Sequence, residues 1–209
     1  VLVFLKQRLV FLSVPKTGTT AYELALARSA SIVVSAPPEL KHAPVFRYNR
    51  FFRQMVERFA GPDVAILAVM REPLDWLGSW YRFRSREDLR GHPKSTHGMS
   101  FDTFVRAYCQ ADAPEFAQVG SQAKFLEPQR NGTRVTHLFR YEDQSGLQSF
   151  LAQRLGEEVV TQTANRSQSQ QVEIGPGTRD LFERFCARDF ALYAGIKGGG
   201  AHTMPAKDQ

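Results

Sequence analysis

The chain has 209 residues, 43% of them hydrophobic, with a net charge of +6 and a mean hydropathy of −0.33. That length suits one compact domain, that apolar fraction excludes wholesale disorder, and no apolar stretch is long enough to span a bilayer. The two cysteines, Cys109 and Cys186, exclude a disulfide scaffold and have no zinc-type spacing to histidine.

Two buried thiols fit a reducing compartment, so the expected location is cytoplasmic, with no stable membrane insertion. The N-terminal run VLVFLKQRLVFLSV is broken by Lys6, Gln7 and Arg8, and no small-residue cleavage site follows it. It reads as two short strands, or as one strand with a lead-in. Residues 9–14 end it as a buried strand, and residues 19–28 then have helical composition, with Thr19 or Thr20 near the cap. Residues 31–35 (SIVVS) read as a second strand, stopped by Pro37-Pro38. Residues 48–59 place Phe51, Phe52, Met55, Val56 and Phe59 at spacings that predict an amphipathic helix ending at Gly61-Pro62.

Residues 64–70 (VAILAVM) are apolar on both faces, as a central parallel strand should be. Pro73 opens a helix running to about Arg84. Residues 85–98 are polar and read as a loop, 101–109 as a helix, and 110–134 carry no clear pattern. A strand over 135–139, a helix over 147–155 and a closing helix over 178–193 complete the chain. Strands alternating with helices predict an α/β domain: a central parallel sheet flanked by helices on both faces. Residues 1–196 form the expected domain, and 197–209 a frayed Gly-rich tail.

The segment Pro15-Lys16-Thr17-Gly18-Thr19-Thr20 joins a strand to a helix. Gly18 permits a sharp turn, and the unpaired amides of the helix start attract an anion. Thr19 and Thr20 add hydroxyls, and Lys16 adds a positive charge. This is not a Walker A loop, in which Lys directly follows the last Gly; an ordinary capped strand-turn-helix is the plain alternative. The second segment runs from Arg71 to Arg82 (REPLDWLGSWYR). Arg71 stands just past the carboxyl end of the central strand, where open α/β sheets bind ligands. Ser79 follows eight residues later, on the next helix. The pair could clamp a second phosphate; the alternative is a plain ion pair of Arg71 with Glu72 or Asp75.

Together the two segments resemble the family of sulfotransferases that use 3′-phosphoadenosine-5′-phosphosulfate (PAPS). In that family a PKTGTT-type loop binds the 5′-phosphosulfate, and an Arg-x-Pro segment with a Ser eight residues after the Arg binds the 3′-phosphate. Lys16, Thr17, Gly18, Thr19 and Thr20 match the first motif; Arg71 and Ser79 match the second. Asn165-Arg166-Ser167 and the segment from Asp189 to Tyr193 resemble elements of the Golgi-type and bacterial carbohydrate-sulfotransferase-like branch. The likeness covers about residues 9–84 well and 160–195 loosely. It implies a three-layer P-loop-like fold, PAPS as donor, PAP as product, and no metal requirement.

The implied reaction is in-line sulfuryl transfer to an acceptor hydroxyl, with carbohydrate among the candidate acceptors. Lys16 would meet the charge that grows on the leaving phosphate. His42, after the second strand, is the expected base, with Glu39 in reserve and Asp75 behind it. His92, His97 and His137 are read as structural or solvated. Trp76, Trp80 and Tyr81 are read as core, although one could stack on adenine. Two other functions fit the same residues: a P-loop small-molecule kinase, which lacks its lysine and Mg²⁺ ligand placements here, and a nucleotide-binding protein without catalysis. The basic charge (Arg71, Arg82, Arg84, Arg86 and Arg90 are its densest group) also suits nucleic acid, but no recognition motif accompanies it, so no nucleic-acid partner is expected.

Overall fold

The computed structural model describes residues 1–161 and 173–197. Asn165-Arg166-Ser167 and the tail beyond Lys197 lie outside these residues. The N-terminal run forms β1 (Leu2–Phe4) and β2 (Leu9–Phe11), paired antiparallel. Only residues 5–8 separate them, far too few for the crossover that a parallel pair needs. β3 (Ile32–Val33) pairs antiparallel with the far side of β1. β4 (Ala65–Met70) runs parallel to β2, and β5 (His137–Arg140) parallel to β4. The sheet order is β3-β1-β2-β4-β5. The expected all-parallel sheet is therefore corrected to a mixed one. Its parallel part is β2-β4-β5, whose carboxyl ends share one edge.

The helices are α1 (Thr19–Leu26), α2 (Pro38–Lys41), α3 (Val45–Arg47), α4 (Arg53–Ala60), α5 (Pro73–Arg84), α6 (Phe101–Tyr108), α7 (Gln122–Phe125), α8 (Gln144–Leu155), α9 (Pro176–Phe185) and α10 (Ala187–Gly195). A π-helical turn, Tyr48–Phe52, joins α3 to α4, so the helix predicted over 48–59 starts earlier and is wider in its first half. The helix predicted over 178–193 is two helices, broken at Cys186. Among the described residues no helix is long and apolar enough to cross a membrane.

Side-chain alternation along the strands builds two cores. Val10, Ile66, Ala68, Met70 and Leu138 face Val45, Tyr48 and Val56 of the α3–α4 segment. Leu9, Phe11, Leu67, Val69 and Phe139 face Tyr22 and Leu26 of α1 and Leu147 and Leu151 of α8. Eight residues are too few for a helix to persist alone in water. α1 is held by burial of Tyr22 and Leu26, worth roughly 1.5–3 kcal/mol for each large apolar side chain. A third cluster joins α5, α6 and α9 through Leu77, Phe104, Tyr108 and Phe182.

Candidate anion-binding site

Two strand-to-helix junctions meet at the carboxyl edge of the parallel strands. β2 leads through residues 12–18 into α1, and β4 leads through Arg71 and Glu72 into α5. In the first junction Lys16 and Gly18 both have left-handed backbones, at φ 65° and 72°. A Cβ on Gly18 would stand 2.9 Å from the Tyr141 ring, so the turn needs glycine for both conformation and space. Gly18, rather than Thr19 or Thr20, is the residue that caps α1. The amides of Thr19 and Thr20 lie in the first turn, where no earlier helical carbonyl can accept from them. Thr17 is fully buried, and its hydroxyl donates to the Val14 carbonyl at 2.9 Å. Its side chain secures the loop; only its backbone is left for a ligand. Thr19 is buried and Thr20 exposed.

Lys16 reaches back over aromatic rings. Its Nζ lies 4.3 Å from the centre of Phe83 and 5.7 Å from that of Trp80, both on α5. No carboxylate pairs with it among the described residues. Burial, and then the positive charges of Arg86, Arg71 and Arg82, lower its pKa to about 8. The loop is tied to α5 a second time by Trp76, whose indole N–H donates to the Pro15 carbonyl at 2.9 Å.

Arg71 points into the same place. One guanidinium nitrogen stands 3.5 Å from the Lys16 carbonyl, and the group lies 4.4 Å over the Tyr141 ring. Tyr141 follows β5 and so forms a floor shared by Gly18 and Arg71. The ion pair with Asp75 held open above is present, at 2.6 Å, and Asp75 also lies 3.5 Å from Arg82. Its cationic side is the buried one: the Arg71 and Arg82 side chains are only 14% and 12% exposed, whereas Asp75 is 44% exposed. Glu72 instead caps α5, accepting from the Asp75 amide at 2.7 Å. One carboxylate thus serves two guanidiniums, and with Lys16 and Arg86 the local charge stays strongly positive. The Nε of Arg82 and the indole N–H of Trp80 are buried with no hydrogen-bond partner among the described residues. Ser79 is buried on α5, and no hydrogen bond joins it to Arg71.

Sequence reasoning missed the residue that sets Arg71. Gln122 of α7 is fully buried. Its side chain accepts from the Arg71 amide at 3.0 Å and donates to the Arg71 carbonyl at 2.9 Å. α7 is in turn held by Asp189 of α10, which accepts from the Ser121 hydroxyl at 2.9 Å and the Ala123 amide at 3.1 Å. Burial raises the Asp189 pKa, against the pull of these hydrogen bonds. Tyr193, from the same C-terminal segment, donates to Glu142 at 2.8 Å, and Glu142 accepts from the Glu72 amide at 3.0 Å. The segment singled out at residues 189–193 therefore braces the β4–α5 junction from behind.

His42 follows α2, and its Nδ1 lies 2.8 Å from the Ser13 carbonyl. A carbonyl only accepts, so Nδ1 carries the proton and Nε2 keeps its lone pair. Burial lowers the His42 pKa below its usual 6.5, which keeps the ring neutral near pH 7. Ser13 lies just past β2, three residues before Lys16. Glu39 is exposed on α2; its backbone carbonyl accepts from Arg47 at 2.9 Å. Among the other histidines, His137 stacks 4.8 Å from Phe150, and His97 meets Arg90 at 2.6 Å. The 85–98 loop is pinned where Thr96, buried, donates to the Tyr81 carbonyl at 2.9 Å. Among the described residues no group of three or more His, Cys, Asp or Glu could hold a metal ion.

No model of a known protein family matches the chain, and no curated protein matches it. What can be said of its chemistry therefore comes from this site.

Proposed function

We propose that the chain is a PAPS-dependent sulfotransferase, transferring a sulfuryl group to an acceptor hydroxyl and releasing PAP. The observation that carries this reading is the shared floor: Gly18 and Arg71 both rest on Tyr141, at the ends of adjacent parallel strands. One doubly phosphorylated nucleotide can then engage both junctions. The amides of residues 18–20 take the 5′-phosphosulfate, and Arg71 takes the 3′-phosphate, exchanging Asp75 for it. Ser79 contributes a hydroxyl after a small rotation of α5 side chains. On this reading the fold is of the three-layer P-loop-like type.

In the reaction the acceptor oxygen attacks sulfur, and the bond from sulfur to the bridging phosphate oxygen breaks in line. The acceptor proton goes to Nε2 of His42. Negative charge on the departing phosphate is met by Lys16, which is held desolvated against Phe83 and Trp80 and is therefore effective as a charge stabiliser. No step calls on a metal ion. The acceptor class that suits the surrounding arginines is an anionic or polyhydroxylated one, with carbohydrate first. We place the reaction in the cytoplasm, where Cys109 and Cys186 stay as the free thiols they are here.

The test is transfer of labelled sulfate from PAPS across a panel of sugars, phenols and amines, beside an ATP–Mg²⁺ control. Turnover with PAPS alone supports the proposal. Turnover with ATP and none with PAPS assigns the kinase function, and tight PAP binding with no transfer assigns the non-catalytic one.

A further inference from the structure

The segment from Val45 to Ala60 has one face in the core and another that no other described residue covers. Val45, Tyr48, Val56 and Ala60 are buried. Phe46, Phe51, Met55 and Phe59 are exposed by 46%, 56%, 39% and 75%. The π-helical turn over Tyr48–Phe52 explains their spacing. Phe46 and Phe51 are five apart, in step with the wider turn, and Phe51, Met55 and Phe59 are four apart, in step with the α-helix that follows. The four side chains form one continuous stripe. Scattered exposed apolar residues need no explanation, but an aligned row of three phenylalanines and a methionine does.

The stripe is bordered by cations. Arg47 lies 5.6 Å over the Phe46 ring and Arg50 lies 5.3 Å over the Phe51 ring. Arg50, Gln54 and Arg58 are all exposed, each one residue before a member of the stripe. Neither Arg50 nor Arg58 has an ion-pair partner among the described residues. The carboxylate of this helix, Glu57, is already engaged by Arg53 at 2.6 Å.

We propose that this face docks on an anionic phospholipid surface, with the phenylalanines at the level of the acyl boundary and the arginines among the headgroups. The charge pattern selects this occupant. A second copy packed through the same face would set arginines of one chain near arginines of the other, with no free carboxylate on the helix to pair them. A soluble polyanion would satisfy the arginines and leave the phenylalanines in water. A leaflet of anionic lipid satisfies both, and binding of this kind scales with buried apolar area and with lipid charge. The contact is peripheral; no membrane-crossing segment is involved.

The experiment is co-sedimentation of the full chain with vesicles of pure phosphatidylcholine and with vesicles containing about one third phosphatidylglycerol, with sedimentation velocity on the chain alone. The expected result is binding to the anionic vesicles that weakens with salt, and little binding to the neutral ones. Arg50→Glu with Arg58→Glu should reduce it by at least about 20-fold, near fivefold for each surface cation lost. Phe51→Ser with Phe59→Ser should reduce it comparably and leave the fold intact, because both side chains are exposed. Three results would overturn the proposal: no vesicle binding, equal binding to both vesicle types, or binding unchanged in either variant. A dimer of the free chain that the serine variant dissociates would overturn it too, assigning the face to a second copy.

Discussion

Replacing Gln122 with leucine tests the construction of the site most sharply. The side chain is fully buried, and its two hydrogen bonds satisfy both the amide and the carbonyl of Arg71. Leucine preserves most of the volume and removes both partners. Each buried backbone group left unpaired costs about 1–3 kcal/mol, and extra apolar burial returns about 1 kcal/mol. The expected net loss is about 1–5 kcal/mol, or a Tm lower by roughly 2–20 °C for a chain of this size. Urea denaturation followed by tryptophan fluorescence measures the first quantity. Calorimetric titration with PAP, at a temperature where the variant is folded, measures the second consequence: a loss of affinity of at least tenfold, because the Arg71 backbone is no longer fixed. A loss of stability under about 1 kcal/mol together with unchanged PAP affinity would refute the idea that Gln122 positions Arg71.

The remaining predictions concern the loop and the base. With burial and neighbouring cations holding Lys16 at about 8, its ammonium is charged below that pH and lost above it, so kcat/KM should fall as pH rises past about 8. Lys16→Arg, charged throughout, should remove that basic limb, and Lys16→Ala should lower turnover at least about 100-fold. On the proposed mechanism His42 is the neutral base, so the acidic limb of the activity profile should lie below pH 6.5, and His42→Ala should abolish transfer to an alcohol while PAP affinity is kept. An unaffected His42→Ala enzyme would transfer the role to Glu39. Gly18→Ala should destabilise the fold by about 2–4 kcal/mol in urea, from the left-handed backbone and the 2.9 Å approach to Tyr141 together.

Local signals were legible in the sequence where they are carried by neighbouring residues. α5 has its expected bounds because Pro73 suits a first helical turn and Glu72 caps it. β4 is buried along its whole length, as its unbroken apolar run requires. The mixed sheet was not legible in the same way. β1, β2 and β3 are two or three residues long, too short to show a pattern that separates a hairpin from a parallel unit. Within the candidate site, the placement of the loop glycine and of Arg71 was legible because backbone geometry and strand ends govern it. Thr17 matches the binding loop by its place in the motif, while the inward turn of its hydroxyl to Val14 depends on how the loop closes. The Arg71–Asp75 pair is one of the two alternatives left open for Arg71, whereas the burial of the guanidinium depends on α5 packing against the loop. Gln122 lies 51 residues from its partner, in a helix of four residues with no periodicity of its own. Only tertiary contact brings it to the Arg71 backbone.

The most direct measurement is a cycle of binding constants that pairs a change in the ligand with a change in the protein. PAP and adenosine 5′-monophosphate, which differ by the 3′-phosphate, are titrated into the native chain and into Arg71→Ala. The expected result is a strong preference of the native chain for PAP, at least about 50-fold, the scale of a charge-assisted phosphate contact, and near-equal affinities in the variant. The same preference in both proteins would mean that the 3′-phosphate is recognised elsewhere, and would contradict the pairing of the two junctions on one nucleotide.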